Sequence, residues 1–415
     1  MVLKFIKNTV LLFVIALLSC GSNTKSNIVK NETNTFPKEN SAAQDIIVGA
    51  NQIDAYLPLL KHKRVGIVAN QTSVIFKTNN QETKAYTHLV DSLKSLHVDI
   101  KKVFAPEHGF RGKADAGEIV KDGIDTKTGL PIISLYGKNK KPYPEQIADL
   151  DIVVFDIQDV GARFYTYIST LHYVMEACAE QNIPVLILDR PNPNGHYIDG
   201  PILESEHTSF VGMHPIPVVH GMTIGEYAQM INGQKWLKDG IQCELDVISV
   251  KHYTRDMPYS LLIKPSPNLP NDIAINLYPS LCFFEGTNVS AGRGTDLQFQ
   301  IYGSPFLDPT SNDFTFTPQP NEGAKYPKHQ DKVCYGKDLS TIKALNILDL
   351  HYLIEAYNST ENKSDFFNTF FTKLAGTQTL QQQIEEGYTA REIRKTWLKD
   401  LESYDKMRQA YFIYN

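Results

Sequence analysis

Between residue 46 and about residue 190, short β-branched runs alternate with longer amphipathic stretches, the rhythm of a parallel sheet covered by helices. The expected strands are Arg64 to Ala69, Ile100 to Ala105, Ile132 to Leu135, Ile152 to Asp156 and Ile183 to Leu188, with helices near 80–97, 144–149 and 164–181. Val153-Val154-Phe155 and Val185-Leu186-Ile187-Leu188 are continuous apolar runs, as central strands buried on both faces require. The expected fold class is therefore α/β.

Several of these strands end in polar residues. The first runs into Asn70-Gln71-Thr72-Ser73, the second into Pro106-Glu107-His108-Gly109, the fourth into Gln158-Asp159 and the fifth into Asp189-Arg190-Pro191-Asn192. Ligands of doubly wound sheets bind outside the carboxyl ends of the strands, so these segments predict one common rim. No GxGxxG or P-loop follows the first strand, which disfavours a dinucleotide or nucleoside triphosphate.

Lys4 and Lys7 precede the apolar run Val10 to Leu18, which is too short to span a bilayer and has the layout of a secretory signal. The run closes in Leu17-Leu18-Ser19-Cys20, similar to a bacterial lipobox, so Cys20 is expected to carry lipid and tether the mature chain to a membrane. Residues 1–20 then form a signal peptide. Residues 21–45 read as a flexible tether, too poor in apolar groups to offset ordering entropy. The remaining ~370 residues exceed what one core usually supports. The cluster Lys264-Pro265-Ser266-Pro267-Asn268-Leu269-Pro270 marks an expected boundary between a larger domain at 46–262 and a smaller one at 263–415, with helices near 346–357, 365–374 and 391–411. A net charge of −5 and a pI near 6.2 leave no broad basic surface for nucleic acid. Cys178, Cys243, Cys282 and Cys334 lack metal-ligand spacing and read as buried free thiols.

Glu107 sits at a strand end among Phe104, Pro106 and Phe110, apolar neighbours that favour the protonated carboxyl a general acid requires. A structural pairing with Arg111 is the alternative. On the helix at 164–181, Ile168, Leu171, Met175 and Cys178 form a core stripe, while Tyr165, Ser169, His172 and Glu176 share another face that is either solvated or lines a cleft. Gln158 and Arg163 suit hydrogen bonds to a sugar and a carboxylate respectively, and Asp159 suits a helix N-cap. The segment Glu285 to Asp296 is densely polar; its glycines permit close backbone approach to a ligand, and Arg293 suits an acidic group, unless the segment is only an interdomain loop. No serine sits in a GxSxG elbow. A metal held by Asp189 with His108 or His220 has no short ligand spacing in its favour, and no cofactor is expected.

Together these stretches resemble the NamZ family of exo-β-N-acetylmuramidases. The resemblance is carried by Gly66 to Ser73, Pro106 to Gly109, Phe155 to Tyr167, Asp189 to Gly195, His220 to Glu226, Pro265 to Pro270, Glu285 to Asn288, Gly292 to Thr295 and the C-terminal Trp397 to Tyr414. It implies a Rossmann-like larger domain, a smaller α+β C-terminal domain and an active site in the cleft between them. It also implies Glu107 and Glu176 as catalytic carboxylates, with Glu285 in reserve, and Asn70, Gln71, His108, Arg111, Gln158, Arg163, Tyr165, Asn268, Glu285 and Arg293 as substrate contacts. The implied substrate is a peptidoglycan-derived MurNAc–GlcNAc oligosaccharide, whose lactyl carboxylate asks for a cation; Arg163 and Arg293 are the candidates. The implied location is the cell envelope. A non-catalytic wall-binding lipoprotein on the same fold, or a metal-dependent hydrolase, are the competing readings.

Overall fold

The computed structural model describes residues 45–77, 85–112 and 122–415. Cys20, the signal-like run and the expected tether apart from Asp45 lie outside the described residues. In chain order the elements are α1 (Ile53–Leu60), β1 (Arg64–Ala69), β2 (Val74–Phe76), β3 (Tyr86–His88), α2 (Leu89–Ser95), β4 (Asp99–Ala105), β5 (Gly123–Ile124), β6 (Pro131–Ser134), α3 (Pro144–Ile147), β7 (Ile152–Asp156), α4 (Tyr167–Glu180), β8 (Val185–Leu188), α5 (Ile224–Gly233) and β9 (Leu245–Ile248). There follow α6 (Asp272–Leu281), β10 (Ile301–Ser304), β11 (Phe314–Phe316), β12 (Cys334–Asp338), α7 (His351–Ser359), α8 (Phe371–Ala375), α9 (Thr379–Glu385) and α10 (Ala390–Arg408).

The main sheet has the order β5-β6-β4-β1-β7-β8-β9. Every pairing from β6 to β9 is parallel, and only the short edge strand β5 is antiparallel. With β5 set aside, the strands counted in chain order read 3-2-1-4-5-6, the Rossmann order. Side chains alternate between two apolar layers, as a period of two dictates. Ile67, Val154 and Leu186 pack on the side that carries α1 and α2. Val68, Val153, Phe155 and Ile187 pack on the side that carries α4 and α5, in a cluster continuous with Phe283, Phe371 and Tyr404 of the C-terminal region. That region holds a three-stranded antiparallel sheet, β10-β12-β11. Its last helix, α10, buries Ile393, Trp397, Leu401 and Tyr404 as one stripe, and the Trp397 indole donates to Asp199 at 3.1 Å.

All five expected strands form, within a residue or two at each end. Three features depart from expectation. The helix expected from residue 80 starts at Leu89, because Tyr86–His88 pairs with Val74–Phe76 and the His88 side chain caps Val90 N. The helix expected from residue 164 starts at Tyr167, so Asp159 is no N-cap; its carboxylate accepts from Gly161 N at 2.7 Å and faces His220 at 3.4 Å. Finally, α1, α5, α6, α9, β5 and β9 to β12 were not expected, and the helices expected from residues 346 and 365 start at His351 and Phe371. The β9 strand is a half-exposed edge without an apolar run, and α6 contains Pro279, an unfavourable residue for a helix interior. The four cysteines are free and buried, as expected. Among the described residues, no helix is long and apolar enough to cross a membrane.

Candidate active site

The register of the sheet assembles the site. Ala105 of β4 pairs with Ser134 of β6, so the residues two positions beyond each strand end, Glu107 and Tyr136, come side by side. Strand β4 ends in a tight turn, Gly109 N to Pro106 O at 3.0 Å, in which His108 (φ 69°) and Gly109 (φ 76°) both take the left-handed conformation. The Tyr136 hydroxyl hydrogen-bonds the Glu107 carboxylate, and burial together with that negative charge pushes the phenol above its ordinary value. From the third side, Thr166, which precedes α4, donates from its hydroxyl to Glu107 Oε2 at 2.7 Å. In the same connection, Gly161 (φ 79°) packs so closely that a Cβ there would lie 2.3 Å from the Asn192 side chain.

Glu107, Tyr136 and Thr166 line a cavity of about 440 Å³, a volume typical of small-ligand sites. Its lining also includes Ser266 and Asn268, Glu285 and Arg293, and Tyr326 and Lys328. Glu285 is held by Arg293, whose Nε donates to it at 2.8 Å and whose second nitrogen also bonds Oε1. Lys328 spends its ammonium on the carbonyls of Phe284 (2.9 Å), Thr287 (2.5 Å) and Val289 (3.0 Å), and burial lowers its pKa to about 8. The proline-rich junction is stapled to the sheet rim. Tyr165 and Tyr167 hydroxyls donate to Pro265 O at 2.8 and 3.1 Å, and Gln71 Nε2 donates to the same carbonyl at 3.0 Å.

Of the expected site residues, Glu107, His108, Tyr165, Asn268, Glu285 and Arg293 line this cavity. The others are outside its lining and bond to other parts of the chain. Asn70 Oδ1 accepts from Thr72 N and Oγ1, at 2.8 and 2.6 Å. Gln158 Nε2 donates to the carbonyls of Asp159 and Pro191, at 2.8 and 2.7 Å. Arg111 pairs with Asp125 at 2.8 Å and with Asp91 at 3.1 Å.

Two expectations need correction. Arg163 is fully buried and donates to the carbonyls of Pro201, Ile216, Leu374 and Ala375 at 2.6–2.9 Å, so it clamps backbone segments rather than a substrate carboxylate. Glu176 lies ten residues beyond Thr166, roughly 15 Å along the axis of α4, and does not reach the cavity. Lys141 and the Lys238 N–H, each at 2.7 Å, hold its carboxylate. Burial pushes the pKa of that carboxyl up, but these partners bring it below its ordinary value. The polar face of α4 is neither wet nor cleft-lining; Tyr165 and Thr166, which do line the cavity, precede the helix. Ser169 donates to Phe210 O at 2.7 Å and His172 bonds His214 at 2.9 Å, both covered by the 204–214 segment.

The metal reading meets similar geometry. Asp189 accepts from Thr223 Oγ1, Gly225 N, Arg190 N and Tyr414 OH at 2.7–2.9 Å, and among the described residues no three metal-ligating side chains converge.

Tyr136, Thr166, Lys328 and Tyr326 were missed as cavity residues. Tyr136 was within reach of the strand-end rule, since it follows an expected strand. Lys328 and Tyr326 lie in a loop with no local signal.

The family model described as exo-β-N-acetylmuramidase NamZ, N-terminal, matches residues 65–273, and its C-terminal counterpart matches residues 276–414. The peptidoglycan β-N-acetylmuramidase NamZ of Bacillus subtilis is 36% identical over 431 residues, which cover 98% of this chain and 100% of the relative. Two solved structures of DUF1343-family proteins from Bacteroides fragilis share the fold. One has a TM-score of 0.81 at 45% identity, covering 90% of this chain and 99% of that one; the other has 0.73 at 28%, covering 89% and 99%. On these matches and on the fold and site described above, the chain belongs to the NamZ family of exo-β-N-acetylmuramidases.

Proposed function

We propose that this chain is an exo-acting glycosidase that releases terminal N-acetylmuramic acid from the non-reducing end of peptidoglycan fragments. The observation that carries the reading is the pair of glutamates, Glu107 and Glu285, that line one cavity in a chain of this family. Hydrolysis of a glycosidic bond needs a proton for the leaving oxygen, a water whose oxygen bonds the anomeric carbon, and negative charge for the oxocarbenium-like transition state. Glu107 supplies the proton. Glu285, held by Arg293, is the carboxylate for the second role in place of Glu176. The Arg293 guanidinium also remains the cavity's candidate for the lactyl carboxylate. The test is release of free N-acetylmuramic acid from a MurNAc–GlcNAc disaccharide by the purified protein. Release is expected; binding without release would replace the enzyme by the wall-binding reading.

The hydroxyls of Tyr136 and Thr166 fix the Glu107 carboxylate by hydrogen bonds. Tyr136→Phe keeps the ring and removes one of them, so kcat is expected to fall about tenfold, the order of one lost charge-assisted hydrogen bond, with KM nearly unchanged. A rise in KM at constant kcat would instead make Tyr136 a ground-state contact.

The Leu17-to-Cys20 motif supports attachment to the cell envelope through lipid on Cys20. Metabolic labelling with a fatty acid should mark the wild-type chain and not Cys20→Ala; equal labelling of both would remove this assignment.

A further inference from the structure

The aromatic rings around the cavity differ in what covers them. Phe164, Tyr165, Tyr278 and Phe299 interlock edge to face as core. Phe210 carries the Lys140 ammonium 4.4 Å from its ring centre and a stacked Tyr173. Tyr326 lines the same cavity yet is 91% exposed, which puts its ring at the opening. A ring so exposed adds almost nothing to the stability of the fold.

Its mount, by contrast, is firmly held. Asn321 and Ala324 exchange backbone hydrogen bonds at 3.0 and 3.2 Å, just before it. Immediately after it, Pro327 packs on Gly294, where a Cβ would lie 2.6 Å from the proline ring, and Lys328 is locked onto its three carbonyls. With the backbone on both sides fixed, only the rotation of the tyrosine side chain itself is lost when a ligand settles on the ring. The face of an aromatic ring is electron-rich, and the axial C–H groups of a β-linked pyranose present a weakly positive, apolar surface to it.

We propose that Tyr326 is a stacking platform for the sugar on the leaving-group side of the scissile bond, the residue that emerges from the cavity when the terminal sugar occupies it. This rests on the exo-hydrolysis reading. An enzyme that takes one terminal residue into this cavity must let the next ring lie outside it, and Tyr326, a lining residue that is almost wholly exposed, stands at that edge.

The test measures binding to Glu107→Gln protein, in which hydrolysis is suppressed, with and without Tyr326→Ala. The ligands are the MurNAc–GlcNAc disaccharide and free N-acetylmuramic acid. The alanine variant should bind the disaccharide about three- to tenfold more weakly, the range of one aromatic contact. Binding of the monosaccharide and the melting temperature should stay as they are, and Tyr326→Phe should restore disaccharide affinity. Unchanged disaccharide affinity would overturn the platform, as would an equal loss for both ligands, which would move Tyr326 into the terminal-sugar site. The hydrolytic reading is judged separately by wild-type turnover: a wild type that binds both ligands in this pattern but releases no sugar loses the enzyme and keeps the subsite.

Discussion

Glu107→Gln should lower release of N-acetylmuramic acid by roughly 10²–10⁴-fold, the range for loss of a positioned general acid. The amide keeps the shape of the side chain and can still take the hydrogen bond from Thr166 that the carboxylate receives at 2.7 Å. Fold and substrate affinity should therefore survive while the transferable proton is gone. The contrast with Glu176→Gln is the sharper result. Glu176 is occupied by Lys141 and Lys238 N on the far half of α4, so its amide variant should lose stability rather than kcat. Measuring kcat and KM for both variants, beside a thermal melt, separates the two roles. A collapse of kcat in a folded Glu176→Gln protein would return that residue to the chemistry.

Arg163→Met should destabilise the protein by about 3–5 kcal/mol, the order expected when several buried carbonyls lose their only side-chain donor. Its guanidinium joins carbonyls at residues 201, 216, 374 and 375, four points on two distant stretches of chain. Burial pulls its pKa down to about 9, so the charge is costly where it sits and is retained by those four acceptors. Methionine fills much of the volume but leaves the carbonyls unpaired. Lysine, a point charge with a single donor atom, cannot span the fork and should recover only part of the loss. Urea titration gives the size of the effect. Wild-type stability in Arg163→Met, combined with lost discrimination for a carboxylate-bearing sugar, would reinstate the substrate role.

The parts of the molecule that were legible in advance are those whose information is local. Val153-Val154-Phe155 and Val185 to Leu188 had to be buried on both faces, and the strand-end rule then led to Glu107. The Thr223-to-Glu226 capping box was equally local and marks the start of α5, and Ile224, Tyr227, Ala228 and Ile231 recur behind it at helical spacing, so this helix was legible although it was not among the expected ones. Arg163 misled because a cation in a polar motif looks the same whether it faces solvent, a ligand or four carbonyls. Glu176 misled for a related reason: four-residue spacing predicts Tyr165 and Glu176 on one helix face, but α4 starts only at Tyr167 and carries Glu176 away from the cavity that Tyr165 lines.

The sequence by itself determined the layer architecture, the parallel strands, the acidic rim residue Glu107 and, through its motifs, the family. Those follow from burial periodicity and from short spacings, which a chain carries wherever it goes. Only the tertiary structure decided that Tyr136 touches Glu107, that Glu285 rather than Glu176 shares the cavity, and that Lys328 and Tyr326 come to it from a loop more than 200 residues away. Such contacts arise from the register between strands and from the docking of one region on another, and neither is set by the residues adjacent in the chain.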